Sequence, residues 1–191
     1  CSPEQYLPCC ACQVQADIGA VNALAFDVNA ACSGFLFALN TADAYLRTGL
    51  AENALVIGSE VLSKLVDWTD RGSCILFGDG AGAVVVEQCE ASPGILGRAL
   101  HSDGTGGGVL QCGARELTTP YAGTSAAKTD QNQPTDGREH YIQMDGQEVY
   151  RFATRRVPQC IEEALSDAGL AVPDIDPVSY THLRAHETSA H

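Results

Sequence analysis

The sequence is poor in positive charge and in long apolar runs. It carries 11 Lys and Arg against 24 Asp and Glu in 191 residues, a formal net charge of -13 at pH 7. This excess of negative charge opposes binding to a phosphate backbone, so no nucleic-acid partner is expected. No apolar stretch approaches the roughly 20 residues that cross a bilayer, and no basic-then-apolar leader opens the chain. The sequence therefore predicts no membrane partner.

The nine cysteines are an odd number, scattered along the chain. A domain of this size needs no covalent cross-links, so this pattern favours reduced thiols over a disulfide framework and predicts a cytoplasmic location. Hydrophobic residues make up 45% of the chain and charged residues 18%. That composition is typical of a globular protein with a core and excludes a disordered or fibrous chain.

Both ends of the sequence have the character of a fragment. The chain begins with Cys1, and its only methionine is Met144. Residues 177–191 hold three of the five histidines and few large aliphatic residues. We therefore expect residues 1–176 to be a partial domain, incomplete at both ends, and residues 177–191 to be a non-native, adapter-like tail.

Hydrophobic periodicity predicts alternating strands and helices, which together indicate an α/β fold with a mixed sheet. Helices are predicted at residues 2–19, 33–48 and 146–169, with Ser2 as the cap of the first, and strands at 23–29, 54–58, 83–86 and 94–97. The first strand is a mostly apolar run and the second a short apolar one, both typical of strands buried on both faces, and the helix between them predicts that they run parallel. Residues 101–140 are predicted to form a long loop region, with a flexible glycine-rich part at 103–108.

Cys32 is predicted at a corner between a strand and a helix, within Asp27-Val-Asn-Ala-Ala-Cys-Ser-Gly-Phe35. The positive end of the helix dipole and the unpaired amides of the first turn favour the thiolate, which attacks thioester carbonyls. The small neighbouring residues leave room for an acyl group. From these residues alone, a nucleophile and a small buried hydrophobe are equally open interpretations.

Two other patterns predict no site. The glycine-rich stretch Gly78-Asp-Gly-Ala-Gly82 precedes a predicted strand instead of a helix, so it lacks the geometry of a phosphate-binding loop. Cys9, Cys10 and Cys12 lie close together, but no second pair of cysteines or histidines follows at zinc-site spacing. No metal site is therefore expected.

Four segments together resemble one enzyme family, β-ketoacyl-acyl-carrier-protein synthase III. They match in order and spacing over about residues 2–176, and they are Ala30-Ala-Cys-Ser-Gly-Phe35, Asp70-Arg-Gly72, Leu76-Phe-Gly-Asp-Gly-Ala-Gly-Ala83 and Met144-Asp-Gly-Gln-Glu-Val-Tyr150. The resemblance implies a thiolase-like fold. It further implies that Cys32 accepts an acyl group from acyl-coenzyme A and that malonyl-acyl-carrier protein then condenses with it, which starts fatty-acid or polyketide synthesis.

The same resemblance implies the ligands and partners of the site. Arg71 matches a position that contacts the coenzyme A nucleotide, and Gly146, Gln147 and Tyr150 match positions of the pantetheine tunnel, although the family often has Asn or Arg at position 147. Without the resemblance, Arg71 and Tyr150 are read as an exposed charge and the edge of an amphipathic helix. No cofactor is permanently bound, because the coenzyme A thioester is a substrate. The implied partners are acyl-coenzyme A, malonyl-acyl-carrier protein and a second copy of the chain.

The chain departs from the family at the residues that stabilise the malonyl enolate. The family uses a His and an Asn within a His-Gln-Ala-Asn pattern, whereas this chain reads Pro177-Val-Ser-Tyr-Thr-His-Leu-Arg184, with His182 one residue late. We therefore expect the fragment to be inactive in condensation. A divergent acyl-coenzyme A acyltransferase and a non-catalytic truncated relative are the alternatives.

A cluster of arginines stands out in this acidic chain. Arg151, Arg155 and Arg156 lie on one predicted helix and form a local positive patch. Such a patch would attract the anionic carrier protein or coenzyme A, and a solvated helix face is an equally open interpretation.

Overall fold

The computed structural model describes residues 1–89, 94–113, 138 and 140–175. Its helices are α1 (Cys10–Asp17), α2 (Gly34–Arg47) and α3 (Gly146–Ala168), and its strands are β1 (Asn53–Val61), β2 (Asp79–Glu87), β3 (Leu110–Gln111) and β4 (Gln143–Met144). Short 3-10 helices lie at Ala31–Ser33, Leu62–Lys64, Gly104–Val109 and Val172–Asp174. Within these described ranges, no helix is both long enough and apolar enough to span a bilayer.

Helix α2 packs its apolar stripe on one face of the sheet formed by β1 and β2. Ala42 and Leu46 are buried, and Gly49, with φ +73°, adopts the left-handed conformation that ends the helix. A Cβ atom placed on Gly58 of β1 would lie 3.4 Å from Cδ2 of Phe35. The missing side chain at Gly58 thus lets the first turn of α2 approach the second half of β1.

Strands β1 and β2 form an antiparallel pair, in register from Asn53 opposite Glu87 to Val61 opposite Asp79. Val56 points toward α2 and is only 4% exposed, whereas Val85 on the opposite face is 72% exposed. The strands predicted at 54–58 and 83–86 are therefore confirmed, and the burial of residues 54–58 on both faces is wrong for the described structure. A single helix covers one face of an antiparallel pair and leaves the other open.

The strands predicted at 23–29 and 94–97 are not strands in this structure, so β1 has no parallel partner among the described residues. Their polar contacts go to helices instead of to a sheet edge. Asp27 accepts hydrogen bonds from two amides of α1, and the amide of Arg98 donates to Asp167 of α3 at 2.9 Å. Apolar runs predict burial, but they do not choose between a strand partner and a helix partner.

The first predicted helix is shorter than expected, because α1 begins only at Cys10. Ser2, predicted to cap the helix, is buried against the end of β1 instead. Its hydroxyl accepts a hydrogen bond from the amide of Val61 at 2.7 Å and donates to Glu60. This contact with a strand 59 residues away replaces the local capping interaction.

The predicted helix at 146–169 is confirmed as α3, which includes Pro158 and ends at Gly169 in the left-handed conformation. The segment 94–105 lies along this helix: besides the Arg98 bond, His101 pairs with Glu163. Gly97 is in such close contact with the α3 backbone that an added Cβ atom would overlap the carbonyl oxygen of Ala164. The absence of a side chain at Gly97 therefore positions the segment against the helix.

Three other expectations concern loops and the chain end. Residues 103–108 are largely a 3-10 helix instead of a flexible loop, because Asp103 caps it by accepting from the amide of Thr105 at 3.0 Å. Gly80 and Gly82 belong to β2 itself instead of preceding it. Most of the predicted loop, at 114–137 and 139, and the predicted tail at 177–191 lie outside the described residues, so the proposed domain division stays a prediction.

Asp79, the first residue of β2, binds the turn that follows β1. Its carboxylate accepts hydrogen bonds from the amide of Ser63 at 2.8 Å and from the Ser63 hydroxyl at 2.7 Å. These hydrogen bonds, the hydroxyl one foremost, lower the pKa of Asp79 below its ordinary value. The ionised carboxylate therefore holds the 3-10 turn Leu62–Lys64 against the first residue of β2.

This arrangement predicts a pH-dependent contribution of Asp79 to stability. Because folding lowers the pKa of Asp79, its contribution is complete above the unfolded value of about 3.9 and is lost as the pH falls through the lower folded value. Asp79→Asn should therefore have a smaller free energy of unfolding in urea at pH 6 than the wild type. The difference should shrink at pH 3. An equal difference at both pH values would contradict this role of the charge.

Candidate active site

Cys32 lies in a tight corner between residues 23–29 and helix α2. Ala31, the residue before it, has φ +45°, a left-handed conformation that costs a non-glycine residue about 1–2 kcal/mol. The amide of Ser33 donates to the carbonyl of Ala30 at 3.1 Å, which closes the 3-10 turn Ala31–Ser33 directly before Gly34 starts α2. The predicted corner is thus present, although the segment leading into it is not a strand.

The side chain of Cys32 is exposed and free. This position does not support the interpretation of Cys32 as a buried core residue. The cysteine also lies in the 3-10 turn that leads directly into the 14-residue helix α2, in which the Gly34 amide donates to the carbonyl of Ala31. The N-terminal end of this helix carries the partial positive charge of the helix dipole. The corner therefore presents an accessible sulfur next to groups that stabilise negative charge.

Asp27 holds the segment that leads to Cys32. Its two carboxylate oxygens accept hydrogen bonds from the amides of Cys10, at 2.9 Å, and Ala11, at 2.8 Å. These amides belong to the first turn of α1 and would otherwise lack partners in the helix. This contact was not predicted from sequence, because the partners are 16 and 17 residues apart and no local pattern connects them.

Arg71 lies on a turn that Asp70 organises. The Asp70 carboxylate accepts from the amide of Gly72 at 2.9 Å and from the hydroxyl of buried Ser73 at 2.7 Å. The Ser73 hydrogen bond, followed by that of Gly72, lowers the pKa of Asp70. Arg71 is exposed, and no hydrogen bond or ion pair within the described ranges uses its guanidinium. The turn thus leaves one positive charge available to a ligand.

The other three predicted site residues lie at the beginning of α3. Asp145 caps this helix by accepting from the amides of Gln147 and Glu148, each at 3.1 Å. Gly146 and Gln147 occupy its first turn, and Tyr150 is 70% exposed. The sequence signal for this cap is Asp145 followed three residues later by Glu148, and the predictions made from sequence did not include it. Tyr150 is on the surface of the described structure and not at the edge of a core.

Backbone hydrogen bonds join the segments that precede Arg71 and α3. The amide of Ile142 donates to the carbonyl of Leu65 at 2.8 Å, and the amide of Asp145 donates to the carbonyl of Val109 at the same distance. Ile142 and Val66 are both buried beside the first of these bonds. This bond lies six residues before Arg71 and four before Gly146, so it connects their segments without placing the two residues in contact.

Cys32 lies toward the same end of β1. The first turn of α2 contacts Gly58, in the second half of the strand, and Leu65 follows the end of β1 by one 3-10 turn. No hydrogen bond among the described residues joins Cys32 to Arg71, Gly146, Gln147 or Tyr150. The structure therefore places the Cys32 corner beside the second half of β1.

Two cavities lie along the second half of α3 and not at Cys32. One, of about 300 Å³, is lined by apolar side chains that include Leu96, Ile161 and Leu165. The other, of about 250 Å³, is lined by Arg47, Arg98 and Asp167 among others. The described part of the chain also contains no cluster of three or more metal-ligating side chains.

The predicted arginine patch on α3 is partly neutralised. Arg151 pairs with Glu148, and Arg156 lies 3.8 Å from Asp103. Arg155 is exposed and forms no ion pair within the part of the chain that the structure describes. These exposed ion pairs are weak, so they do not decide whether the patch attracts anionic partners. That role stays a prediction.

The cap at Asp145 predicts a measurable loss of stability on substitution. Asp145→Ala removes the acceptor for two amides at the start of α3 and should lower the free energy of unfolding by about 1 kcal/mol. Urea unfolding followed by circular dichroism measures the change. Glu162→Ala, an exposed position inside the same helix, is the matched control and should change it by less than about 0.5 kcal/mol. Equal losses in the two variants would argue against the capping role.

Comparison with known proteins gives consistent matches. Residues 26–104 match the family described as 3-oxoacyl-[acyl-carrier-protein (ACP)] synthase III. The chain is 45% identical over 175 residues to a β-ketoacyl-[acyl-carrier-protein] synthase III of Clostridium acetobutylicum, covering 92% of this chain and 50% of the relative. It is 49% identical over 166 residues to the protein of the same description in Acaryochloris marina, with coverages of 87% and 48%.

Solved structures give the same result. The structure of β-ketoacyl-[acyl-carrier-protein] synthase III from Thermus thermophilus matches with a TM-score of 0.75 at 37% identity, over 91% of this chain and 50% of that one. The priming β-ketosynthase of the R1128 polyketide biosynthetic pathway matches with a TM-score of 0.73 at 34% identity, with coverages of 92% and 48%. The chain spans about half the length of the curated relatives it matches.

Proposed function

The chain belongs to the 3-oxoacyl-[acyl-carrier-protein] synthase III family and has its thiolase-like α/β fold, and on this premise we propose that Cys32 is the acyl-accepting nucleophile of a condensing acyltransferase. The observation that carries the proposal is the exposed sulfur at a strained corner directly before α2. This corner lies within the residues that match the family.

In the first half-reaction, the sulfur of Cys32 attacks the carbonyl carbon of acyl-coenzyme A. The bond between that carbon and the coenzyme A sulfur breaks, and the leaving thiolate takes up the proton that Cys32 lost. The product is an acyl thioester on Cys32. The positive end of the α2 dipole would stabilise the attacking thiolate.

In the second half-reaction, malonyl-acyl-carrier protein loses carbon dioxide, and the resulting carbanion attacks the acyl carbonyl. Cys32 leaves as a thiolate, and a 3-oxoacyl product remains on the carrier protein. This step requires donors that stabilise the enolate oxygen, which the resemblance assigns to a His and an Asn. Neither is assigned to a position of this chain, so we expect the chain itself to stop at the acyl-enzyme.

Arg71, Gly146, Gln147 and Tyr150 are proposed to bind the coenzyme A substrate. Arg71 supplies an exposed guanidinium, a group that pairs well with phosphate oxygens. The segment before its turn is hydrogen-bonded to the segment before α3 through Leu65 and Ile142, which supports a shared ligand. Acyl-coenzyme A and malonyl-acyl-carrier protein as substrates, a homodimer and a cytoplasmic location belong to the same proposal for the whole protein, in fatty-acid or polyketide synthesis.

A second candidate function is acyl transfer without condensation. It requires only the acyl-cysteine half-reaction, and the observation that favours it is that Cys32 with its motif Ala30-Ala-Cys-Ser-Gly-Phe35 is the one catalytic element that the family resemblance assigns to this chain. Such an enzyme would form the same thioester on Cys32 and pass the acyl group to another acceptor.

The proposal is tested by incubating the chain with acetyl-coenzyme A labelled in the acetyl group and then digesting it after Asp and Glu. The peptide of residues 28–43 contains Cys32 as its single cysteine, so label on this peptide identifies the acylated residue. We expect label there. Adding malonyl-acyl-carrier protein should leave this label in place.

The possible results separate the candidates. Label on residues 28–43 that moves to another acyl acceptor and never appears in a 3-oxoacyl product would favour the acyltransferase. A chain that takes up no label on this peptide would be a non-catalytic relative, and the proposal for Cys32 would be wrong.

A further inference from the structure

Cys9 and Cys12 form a close pair of thiols at the start of α1, separate from the Cys32 corner. Their sulfur atoms are 3.1 Å apart. The amide of Cys12 donates to the carbonyl of Cys9 at 3.2 Å, so the two residues bracket one closed helical turn. Neither the family match at 26–104 nor the proposed chemistry of Cys32 uses these residues.

The geometry of the pair suits a disulfide and not a metal ion. Residues three apart on a helix have neighbouring Cβ atoms about 5–6 Å apart, a small adjustment away from the 3.5–4.5 Å of a disulfide. The two sulfur atoms already face each other, and the remaining adjustment is a shift of the backbone at Cys9, the extended residue that precedes α1. A metal ion would require at least a third ligand, and the described residues contain no such group of three.

The pair is accessible to a small oxidant. Cys12 is exposed and Cys9 is half-buried. Cys10, between them in sequence, is also exposed, but its sulfur forms no hydrogen bond with any described residue. The three cysteines therefore divide into a facing pair and a lone neighbour, which makes Cys10 a natural control.

We propose that Cys9 and Cys12 form a reversible dithiol–disulfide site that reacts with small-molecule disulfides such as oxidised glutathione. This inference does not rest on the proposed function of Cys32. It predicts a redox modification of α1 that leaves the nucleophile itself untouched.

The reaction proceeds by two thiol–disulfide exchanges. One cysteine thiolate attacks a sulfur of oxidised glutathione, the sulfur–sulfur bond breaks, and one glutathione leaves and takes up the proton. The second cysteine then attacks the protein sulfur of this mixed disulfide and releases the second glutathione. Two protein thiols are oxidised by two electrons, and oxidised glutathione is reduced to two molecules of glutathione.

The surroundings also act on the Cys12 thiol. The hydrogen bond with Cys9, followed by desolvation and the negative charges nearby, raises the pKa of Cys12. Cys12 also lies 3.5 Å from the carbonyl oxygen of Ala25, to which its thiol donates. Oxidation would remove that donor from the segment that leads to Cys32.

The test is an oxidation of the full chain with oxidised glutathione, followed by alkylation of free thiols and digestion after Asp and Glu. The peptide of residues 5–17 then contains only Cys9, Cys10 and Cys12. We expect this peptide to carry one alkyl group, on Cys10, and to be two hydrogens lighter than the reduced form. Treating the oxidised chain with excess reduced glutathione before alkylation should restore all three alkyl groups.

Three single variants provide the matched comparison. Cys10→Ser should form the disulfide to within about twofold of the wild-type yield, whereas Cys9→Ser and Cys12→Ser should lose at least tenfold. Circular dichroism spectra that match the wild type exclude unfolding as the cause of the loss. The proposal would be overturned by a wild-type peptide with three alkyl groups, by a lasting glutathione adduct on Cys9, or by a disulfide that disappears in Cys10→Ser.

Discussion

Cys32→Ala should lose at least 100-fold in acyl transfer from acetyl-coenzyme A to the protein. The substitution removes the only sulfur at the corner before α2, and alanine has no atom that can form a thioester. The backbone should keep its shape, because Ala31 already carries the left-handed conformation and the exposed Cys32 side chain fills no core space. Covalent label measured on the intact protein by mass spectrometry reports the change.

The control for this loss is another exposed cysteine. Cys89→Ala removes a free thiol that follows the end of β2 and should keep the wild-type amount of label. Unfolding in urea should be the same for both variants to within about 0.5 kcal/mol, as expected for exposed sites. If Cys32→Ala retained label while Cys89→Ala lost it, the assignment of the nucleophile would be wrong.

Gly97→Ala should strongly destabilise the packing of segment 94–105 against α3. The new Cβ atom would overlap the carbonyl oxygen of Ala164 and lie 2.8 Å from the amide nitrogen of Ala168. These are backbone atoms of a helix, so they cannot move aside as a flexible side chain can. Overpacking of this kind typically costs about 1–3 kcal/mol, and we expect a loss in the upper part of that range in urea unfolding.

The same segment supplies a matched control for Gly97. Gly94 has no atom within 4 Å of an added Cβ and has no positive φ. Gly94→Ala should therefore change the free energy of unfolding by less than about 0.5 kcal/mol. Equal effects of the two substitutions would show that general loss of glycine, and not contact with α3, causes the destabilisation.

The elements that sequence predicted well are those with a strong local pattern. Helices α2 and α3 have apolar residues at helical spacing and end next to Gly49 and Gly169, and the apolar runs at 54–58 and 83–86 lie in β1 and β2. The predicted α/β fold was confirmed by the solved structures as well as by these elements. Each of these features depends on residues that lie close together in the sequence, and their spacing alone distinguishes a helix from a strand.

The elements that failed are those whose partners are remote. Residues 23–29 and 94–97 looked like strands, but their contacts are made with α1 and α3 through Asp27, Gly97 and Arg98. Likewise, Ser2 binds the end of β1 instead of capping a helix. In each case a favourable contact across the chain outweighed the local preference.

The candidate site divides in the same way. The chemical type of the nucleophile, its place before a helix and the motif that carries the family resemblance are properties of adjacent residues around Cys32, so the amino-acid order alone determined them. Tertiary structure decided that the sulfur is exposed, that the segment before Arg71 is hydrogen-bonded to the segment before α3, and that Cys9 faces Cys12 and not Cys10. The reason is physical: the spacing of residues along a helix or strand follows from regular local geometry. The exposure of a side chain and its pairing depend instead on which distant parts of the chain pack against each other.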